Sequence, residues 1–157
     1  MLRSILIGLV AGQRGITPLA AIAMATYQGK IGTRLPLQHL FKDRLVTAAV
    51  TGLAAAEMAG DKMKSSPDRI VPIGLLVRFI TSAYAGAVLA PRNQRTLGAV
   101  AAVGTALASS YVGWRLRRAA MERYGQTASG LVEDAIVATG GLAIAGLAGP
   151  AHKKPAS

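Results

Sequence analysis

Five long apolar runs, separated by short basic segments, constrain this chain more than any other feature of its sequence. They cover residues 2–27, 45–60, 70–90, 96–114 and 130–149. An α-helix needs about 20 apolar residues to cross a bilayer, and the third, fourth and fifth runs have that length. The second run is shorter and rich in alanine. The first run is long enough only if the bilayer-spanning helix can accommodate Arg14, which interrupts it. A signal peptide is the alternative for this run, and it is less favoured because Arg14 makes the uninterrupted apolar stretch too short.

The composition favours a membrane bundle over a soluble domain. Hydrophobic residues make up 52% of the chain, charged residues 16% and aromatic residues 4%. Few large rings are present to fill a soluble core, whereas membrane helices pack through small residues. We predict an all-α, polytopic transmembrane bundle of about five helices over residues 1–149, followed by a short basic tail at 150–157. An alanine-rich soluble bundle is the alternative, disfavoured because the later runs lack a polar face.

The net charge of +11 raises the question of a nucleic-acid partner. The basic residues fall between the apolar runs, as in KIGTRLPLQHLFKDR and WRLRRAAMER, and form no helical stripe interleaved with aromatics. Basic loops between apolar runs are typical of membrane proteins. We therefore expect a multi-pass protein of the bacterial inner membrane, with the lipid bilayer and no nucleic acid as its partner. For five crossings, eight basic residues fall on each side, so the count leaves the orientation open.

Small residues recur at four-residue spacing in four of the runs, which places them in rows along helix faces. Each row lets a neighbouring backbone approach closely, so we expect tight packing and association with a second copy or a membrane-protein partner. The rows are Gly52, Ala56 and Gly60; Ser82, Gly86 and Ala90; Gly98, Ala102, Ala106 and Ser110; and Gly141, Ala145 and Gly149.

The sequence also contains a candidate internal repeat. Residues 7–17 resemble residues 73–81, including an arginine three residues before a threonine, and AAVTGLAA at 48–55 resembles AAVGTALA at 101–108. Because the order is kept, the pattern indicates a duplicated helix pair whose copies run in the same direction. Low sequence complexity is the alternative explanation.

Four segments together resemble a bacterial integral membrane family, catalogued as domain of unknown function 4126. They are AGQRGITPLAAIA, GLAAAEMAGDKMKSSPDRIVPIGLLVR, YVGWRLRR and LVEDAIV, and the resemblance extends from Leu6 to Leu147. It implies a membrane location and no catalytic activity. The family's signature positions map onto Arg14, Thr17, Pro18, Glu57, Asp61, Lys62, Pro67, Arg69, Pro72, Arg78, Arg115, Glu133 and Asp134.

Two arginines, Arg14 and Arg78, lie well inside apolar runs. An arginine at the centre of a membrane helix costs about 2.5–3.5 kcal/mol on insertion scales, so both side chains should face protein or a water-filled cavity. Their candidate charge partners and neighbours are Glu57, Asp61, Arg69, Glu133 and Asp134.

Two interpretations of these charges remain open. In the first, buried ion pairs fix the register of the helices. In the second, Gly12, Gly15 and Pro18 break the first helix, and Thr17 caps a half-helix whose free amides attract an anion beside Arg14. Arg14, Thr17 and Arg78 are then the candidate ligand-binding residues.

The sequence contains no recognisable catalytic or metal-binding pattern. Its two histidines, His39 and His152, lie in a loop and in the tail, and no nucleophile–base spacing, phosphate loop or metal cluster is present. We predict a protein that is not an enzyme and has no cofactor. The favoured function is permeation or transport of a small solute, an anion being one option, and the alternative is a non-catalytic accessory or scaffold subunit of a membrane assembly.

Overall fold

The computed structural model describes residues 1–32, 35–60, 72–124 and 126–146, and this part of the chain is helical and contains no β-strand. The prediction of an all-α protein is therefore confirmed for these residues. Six α-helices form where about five were expected, and two short 3₁₀ turns lie at Gln38–Lys42 and Arg92–Gln94. The helices are α1 (Leu2–Gln13), α2 (Thr17–Tyr27), α3 (Arg44–Gly60), α4 (Pro72–Leu89), α5 (Arg95–Tyr124) and α6 (Gln126–Ile144).

Local sequence signals account for several of the helix ends. Pro18 lies in the first turn of α2 and Pro72 is the first residue of α4, positions at which the missing N–H has no intrahelical partner to lose. Asp43 caps α3, since its Oδ1 accepts hydrogen bonds from the amides of Leu45 (2.7 Å) and Val46 (3.1 Å). Pro91 follows the end of α4.

The extra helix arises because the first apolar run folds back on itself. α1 runs antiparallel to α6: Arg3 donates from Nε to the carbonyl of Ile144 (2.8 Å), while Arg14, just after α1, pairs with Asp134 earlier on α6. Residues 2–27, predicted as one span with a break near residues 12–18, therefore form two helices that fold back on each other.

α2 returns to the end of the bundle at which α1 begins. Ala25 in its last turns packs with Ala145, close to Ile144, and the chain after α2 reaches α4, where Tyr84 donates to the carbonyl of Pro36 (3.1 Å). α1 and α2 therefore form a helical hairpin, and its tip consists of Arg14, Gly15 and Ile16. At 12 and 11 residues, the two helices are only about 18 and 17 Å long.

The contacts assign the remaining helix ends to two ends of the bundle. One end, called the Arg3 end, holds the starts of α1, α3 and α5 and the ends of α2, α4 and α6; the other is called the Trp114 end. Arg3 thus lies at the same end as Lys30, and the even division of basic residues predicted for five crossings no longer holds. α3 and α5, which contain residues 48–55 and 101–108, run in the same direction, as expected for duplicated copies. Residues 7–17 lie mostly in α1, which runs opposite to α4 with residues 73–81, so this part of the candidate repeat does not keep its direction.

α1 packs in the centre of the bundle, and hydroxyl groups of α5 hydrogen-bond to its carbonyls. Ser109 donates to Leu9 (2.9 Å) and Ser110 to Gly12 (3.0 Å). Gly12 permits this approach, because a Cβ added to it would lie 2.5 Å from the carbonyl oxygen of Ala106. The carbonyl of Gly12, which lacks an intrahelical amide, thus gains a side-chain partner.

The small-residue rows of α4 and α5 lie against each other, as expected, but the row of α3 does not pack. A Cβ added to Gly86 of α4 would lie 2.5 Å from the carbonyl oxygen of Gly98 of α5. By contrast, a Cβ added to Gly52 or Gly60 of α3 would meet no described atom within 4 Å. The α3 row faces outward because α3 packs against α2 through the opposite face, which includes the buried Ala54.

Large apolar side chains lie on the outside of the bundle, and many polar ones lie inside. Of the described helices, α4 and a stretch at 92–120 that contains most of α5 are long and apolar enough to cross a membrane, judged by length and composition. The short tail predicted at 150–157 lies outside the described residues. Exposed apolar side chains include Leu45, Leu53, Ile73, Leu76, Phe79, Ile80, Leu97, Val100, Leu107, Val112, Leu116, Leu131, Val132 and Ile136.

Candidate functional site

The hairpin tip is a break in helical structure inside the protein. α1 ends at Gln13, Arg14 has extended backbone (φ −138°, ψ 115°), and α2 begins at Thr17 with Ile16 as its N-cap residue. Arg14 and Gly15 are buried. The amides that open α2 have no carbonyl from a preceding turn, so they need partners from elsewhere in the bundle.

Glu57 of α3 supplies those partners. Its Oε1 accepts a hydrogen bond from the amide of Gly15 (2.8 Å) and its Oε2 accepts one from the amide of Ile16 (2.9 Å). The carbonyl of Gly15 accepts from the hydroxyl of Thr81 on α4 (2.6 Å). A carboxylate at this place is also favoured by the positive end of the α2 dipole.

Thr17 does not cap α2, contrary to the sequence-based expectation. It is the first residue within the helix, and its buried Oγ1 has no hydrogen-bond partner among the described residues. A Cβ added to Gly141 of α6 would lie 3.5 Å from the methyl group of Thr17, so this side chain packs toward α6. Ile16 takes the N-cap position instead, because its carbonyl already accepts the helical hydrogen bond from the amide of Ala20 (3.1 Å).

Arg14 forms a buried ion pair with Asp134. Its Nε donates to Oδ1 (2.9 Å), Nη2 lies 2.5 Å from the same oxygen, and Arg14 is only 2% exposed. The pair joins the hairpin tip to α6, which matches the interpretation of a structural pair for this arginine. Glu133 is half-buried beside Asp134 on α6, about 100° further round the helix.

Arg78 lies on α4 next to the tip and to Glu57. A Cβ added to Gly15 would be 3.4 Å from both Cγ of Arg78 and Oε1 of Glu57, so both side chains lie beside the tip. Arg78 is 5% exposed. Two further candidate charges, Asp61 and Arg69, lie outside the described residues.

A cavity of about 190 Å³ opens beside the tip. Glu57 and Arg78 are the charged residues of its lining, and the other lining residues are apolar or glycine. Residues of both charges therefore line the cavity, next to the two amides that Glu57 holds. It is lined by Gly15, Ile16, Glu57, Ile73, Gly74, Val77 and Arg78.

The two sequence-based interpretations therefore apply to different residues. Arg14 belongs to a buried ion pair with Asp134, whereas Glu57 and Arg78 line the cavity. The amides of Gly15 and Ile16 do hold a carboxylate, as an anion site would, but that carboxylate belongs to the protein. No group of three or more residues suited to a metal ion occurs in the part of the chain that the structure describes.

The buried polar residues that hold the two ends of the hairpin differ in whether the sequence indicates them. The sequence does indicate Thr81, because it is the threonine of the second copy of the candidate internal repeat. Gln38 had no such signal: it is fully buried in the connection after α2, where it donates to Thr26 Oγ1 (3.2 Å) and to the carbonyl of Gly32 (3.2 Å). Ser109 also lacked a signal, since it lies beside a row of small residues.

Replacing Glu57 with glutamine is expected to free one of the two tip amides. A glutamine side chain has a single acceptor oxygen, and its NH₂ group is a donor facing a second donor. An unsatisfied buried amide costs about 1–3 kcal/mol. Hydrogen exchange should show faster exchange at Gly15 or Ile16, while the amide of Ala106 in α5 keeps its protection as an internal control. Unchanged protection at both tip amides would contradict the assignment of Glu57.

Comparisons with known proteins place the chain in no family. No family model matches it, and neither the curated proteins nor the solved structures contain a significant match. The resemblance to the integral membrane family therefore stays a prediction, and the function has to be argued from the geometry.

Proposed function

We propose that the chain is a multi-pass integral membrane protein. The support is its inverted distribution of polarity: exposed Leu, Ile, Val and Phe side chains surround an interior that contains Arg14, Arg78, Ser82, Ser110 and Asp134. In water this arrangement would expose apolar surface and bury charge, both of which cost free energy. In a bilayer it is the favoured arrangement, because intramembrane ionisable residues face the protein interior. The bacterial inner membrane stays a prediction from the sequence.

The hairpin supports the same proposal. Irregular backbone at membrane depth is tolerated only where it is buried in protein or lines a water-filled cavity. The amides of Gly15 and Ile16 and the carbonyl of Gly15 all have side-chain partners. Since neither α1 nor α2 is long enough to cross about 30 Å of hydrocarbon, the hairpin enters and leaves at the Arg3 end.

Within that bundle, we propose permeation or transport of a small solute through the cavity at the tip. The observation that carries this proposal is the meeting of Glu57, Arg78 and a broken helix at a cavity of about 190 Å³. A structural ion pair such as Arg14 with Asp134 needs no adjoining space. An anion is one candidate class; because Glu57 occupies the tip amides, its favoured contact is Arg78.

The first experiment tests whether the protein is embedded in a membrane. After carbonate extraction the full chain is expected in the membrane fraction, and release into the soluble fraction would restore the alanine-rich soluble bundle. Purified protein in liposomes is then screened for flux of small anions, cations and neutral solutes. We expect flux of one class, reduced at least about tenfold by Arg78→Gln, since an intramembrane charge of this kind marks the pathway. Arg92→Gln, at an exposed position, serves as the control.

A second candidate function is favoured by one different observation. The small-residue row of α3, which includes Gly52 and Gly60, faces outward with open space beside it. Such a face lets a helix of another protein approach closely, as an accessory or scaffold subunit would require. If inserted, folded protein conducts no solute class but is recovered from membranes with a partner that Gly52→Leu releases, transport is wrong and the scaffold function is correct.

A further inference from the structure

The last part of α5 extends beyond its neighbour at the Trp114 end. α5 has 30 residues and α4 has 18, a difference of about 18 Å at helical rise. The two helices are level at the Arg3 end, where Gly98 adjoins Ala90. Most of the excess therefore falls at the opposite end, where Arg115, Leu116 and Arg118 are exposed.

An aromatic and basic row marks this extension. The rings of Tyr111 and Trp114 meet edge-on with centroids 6.3 Å apart, and the guanidinium carbon of Arg118 lies 5.2 Å from the centroid of the Trp114 ring. Spacings of three and four residues put the three side chains on one helix face. A guanidinium stacked on a ring keeps its N–H edge available for hydrogen bonds.

Apolar and basic groups meet at this level of the helix. Val112 and Leu116 are 57% and 66% exposed, and the exposed Arg115 lies between them in sequence. Aromatic rings that are amphipathic are enriched where hydrocarbon meets headgroups, and arginine binds phosphate through paired N–H groups. The row thus combines a surface for acyl chains with donors for phosphate.

Nucleic acid fits the same row poorly. Binding of a single strand uses aromatic faces on which bases stack. Arg118 lies over the ring of Trp114, Tyr111 packs against that ring, and Trp114 is itself half-buried. The exposed leucine and valine beside it also lack any partner in a polynucleotide.

We infer that Tyr111, Trp114, Arg115 and Arg118 bind the headgroups of anionic phospholipids. This rests on the proposed membrane location and adds the chemistry of the partner: a phosphodiester headgroup without a compensating ammonium group. A zwitterionic lipid is bound less well at this row, because its own cation is repelled by the two guanidinium groups.

Trp114 is the single tryptophan of the chain, so its fluorescence reports on this site alone. The full chain is reconstituted in phosphatidylcholine vesicles that contain a minor fraction of phosphatidylglycerol, with bromine on the acyl chains of one lipid or the other. We expect brominated phosphatidylglycerol to quench Trp114 more than an equal fraction of brominated phosphatidylcholine. Each arginine is expected to contribute roughly a fivefold preference, and added salt should weaken it.

Three variants test the assignment. Arg115→Gln, which leaves the contact between Arg118 and the ring in place, should reduce the preference, and Arg115→Gln with Arg118→Gln should abolish it. Arg92→Gln, at the Arg3 end, should keep it. Equal quenching by the two lipids in the parent, or an unchanged preference in the double variant, overturns the inference while the membrane location stands.

Further outcomes separate the inference from its premise. Absence of quenching by either brominated lipid overturns the membrane location together with the headgroup site. Loss of the preference on addition of inorganic phosphate, at an ionic strength matched with chloride, assigns the row to free phosphate and overturns the lipid assignment. A change in Trp114 emission with a short single-stranded oligonucleotide, in detergent without lipid, assigns it to nucleic acid instead.

Discussion

Arg14→Gln is expected to lower the free energy of unfolding by about 3–5 kcal/mol, because it leaves the Asp134 carboxylate buried without its partner. Arg14 is 2% exposed, and its Nε lies 2.9 Å from Oδ1 of Asp134. Asp134→Asn should cost a similar amount, since the guanidinium is then the uncompensated charge. The double variant should recover most of the loss, because both charges are gone. Denaturant unfolding in detergent micelles measures all three free energies.

The double-mutant cycle distinguishes this pair from a general loss of packing. Because the double variant is expected to lose less stability than either single variant, the coupling free energy should exceed one single-variant loss, about 3 kcal/mol. Arg92→Gln is the matched control: it removes an exposed arginine and should change stability by less than about 0.5 kcal/mol. Additive effects of the two single variants would mean that Arg14 and Asp134 do not stabilise each other.

The helices α3 to α6 could be predicted from the apolar runs, but the hairpin could not. Gly12, Gly15 and Pro18 indicate a break near residue 15 without specifying its angle. A kinked crossing and a reversal satisfy the same local preferences, since both leave α1 and α2 helical. The choice between them depends on contacts with α3, α4 and α6, which are distant in sequence.

The charges of the site could be predicted individually, but their pairing could not. Glu57 was a candidate partner for an arginine, and its carboxylate instead binds two backbone amides. Backbone donors are the same in every sequence, so no pattern of residue types reveals which amides lack a partner. That information appears only once the break at Arg14 is placed in three dimensions.

The packing of the small-residue rows could also be predicted only in part from the sequence. Gly86 and Gly52 occur in rows of nearly the same composition, yet one faces a neighbouring backbone and the other faces outward. The rows predict where close approach is sterically allowed. Which row is used inside the chain depends on the arrangement of the helices, and this leaves the α3 row free for the second candidate function.

Gly86→Ala and Gly104→Ala are expected to change stability in opposite directions, although each adds one methyl group to a helix interior. A Cβ at Gly86 would overlap the side chain of Ala102 and lie 2.5 Å from the carbonyl oxygen of Gly98, so α4 and α5 would have to separate. The same separation would strain the hydrogen bond from Ser4 Oγ to the carbonyl of Gly86 (2.9 Å). Overpacking of this kind costs about 1–3 kcal/mol, and a clash with backbone places it at the upper end.

At Gly104 the added Cβ meets no described atom within 4 Å, and the position lies inside α5. Alanine is the better helix former by about 0.5–1 kcal/mol, because glycine loses more backbone entropy on folding. The two single variants are compared with the parent by thermal unfolding in the same detergent, with helix content checked by circular dichroism. A lower midpoint for Gly86→Ala and an equal or higher midpoint for Gly104→Ala are expected. If Gly86→Ala is tolerated as well as Gly104→Ala, the backbones of α4 and α5 do not meet at Gly86 and Gly98, and the close packing of these two helices is wrong.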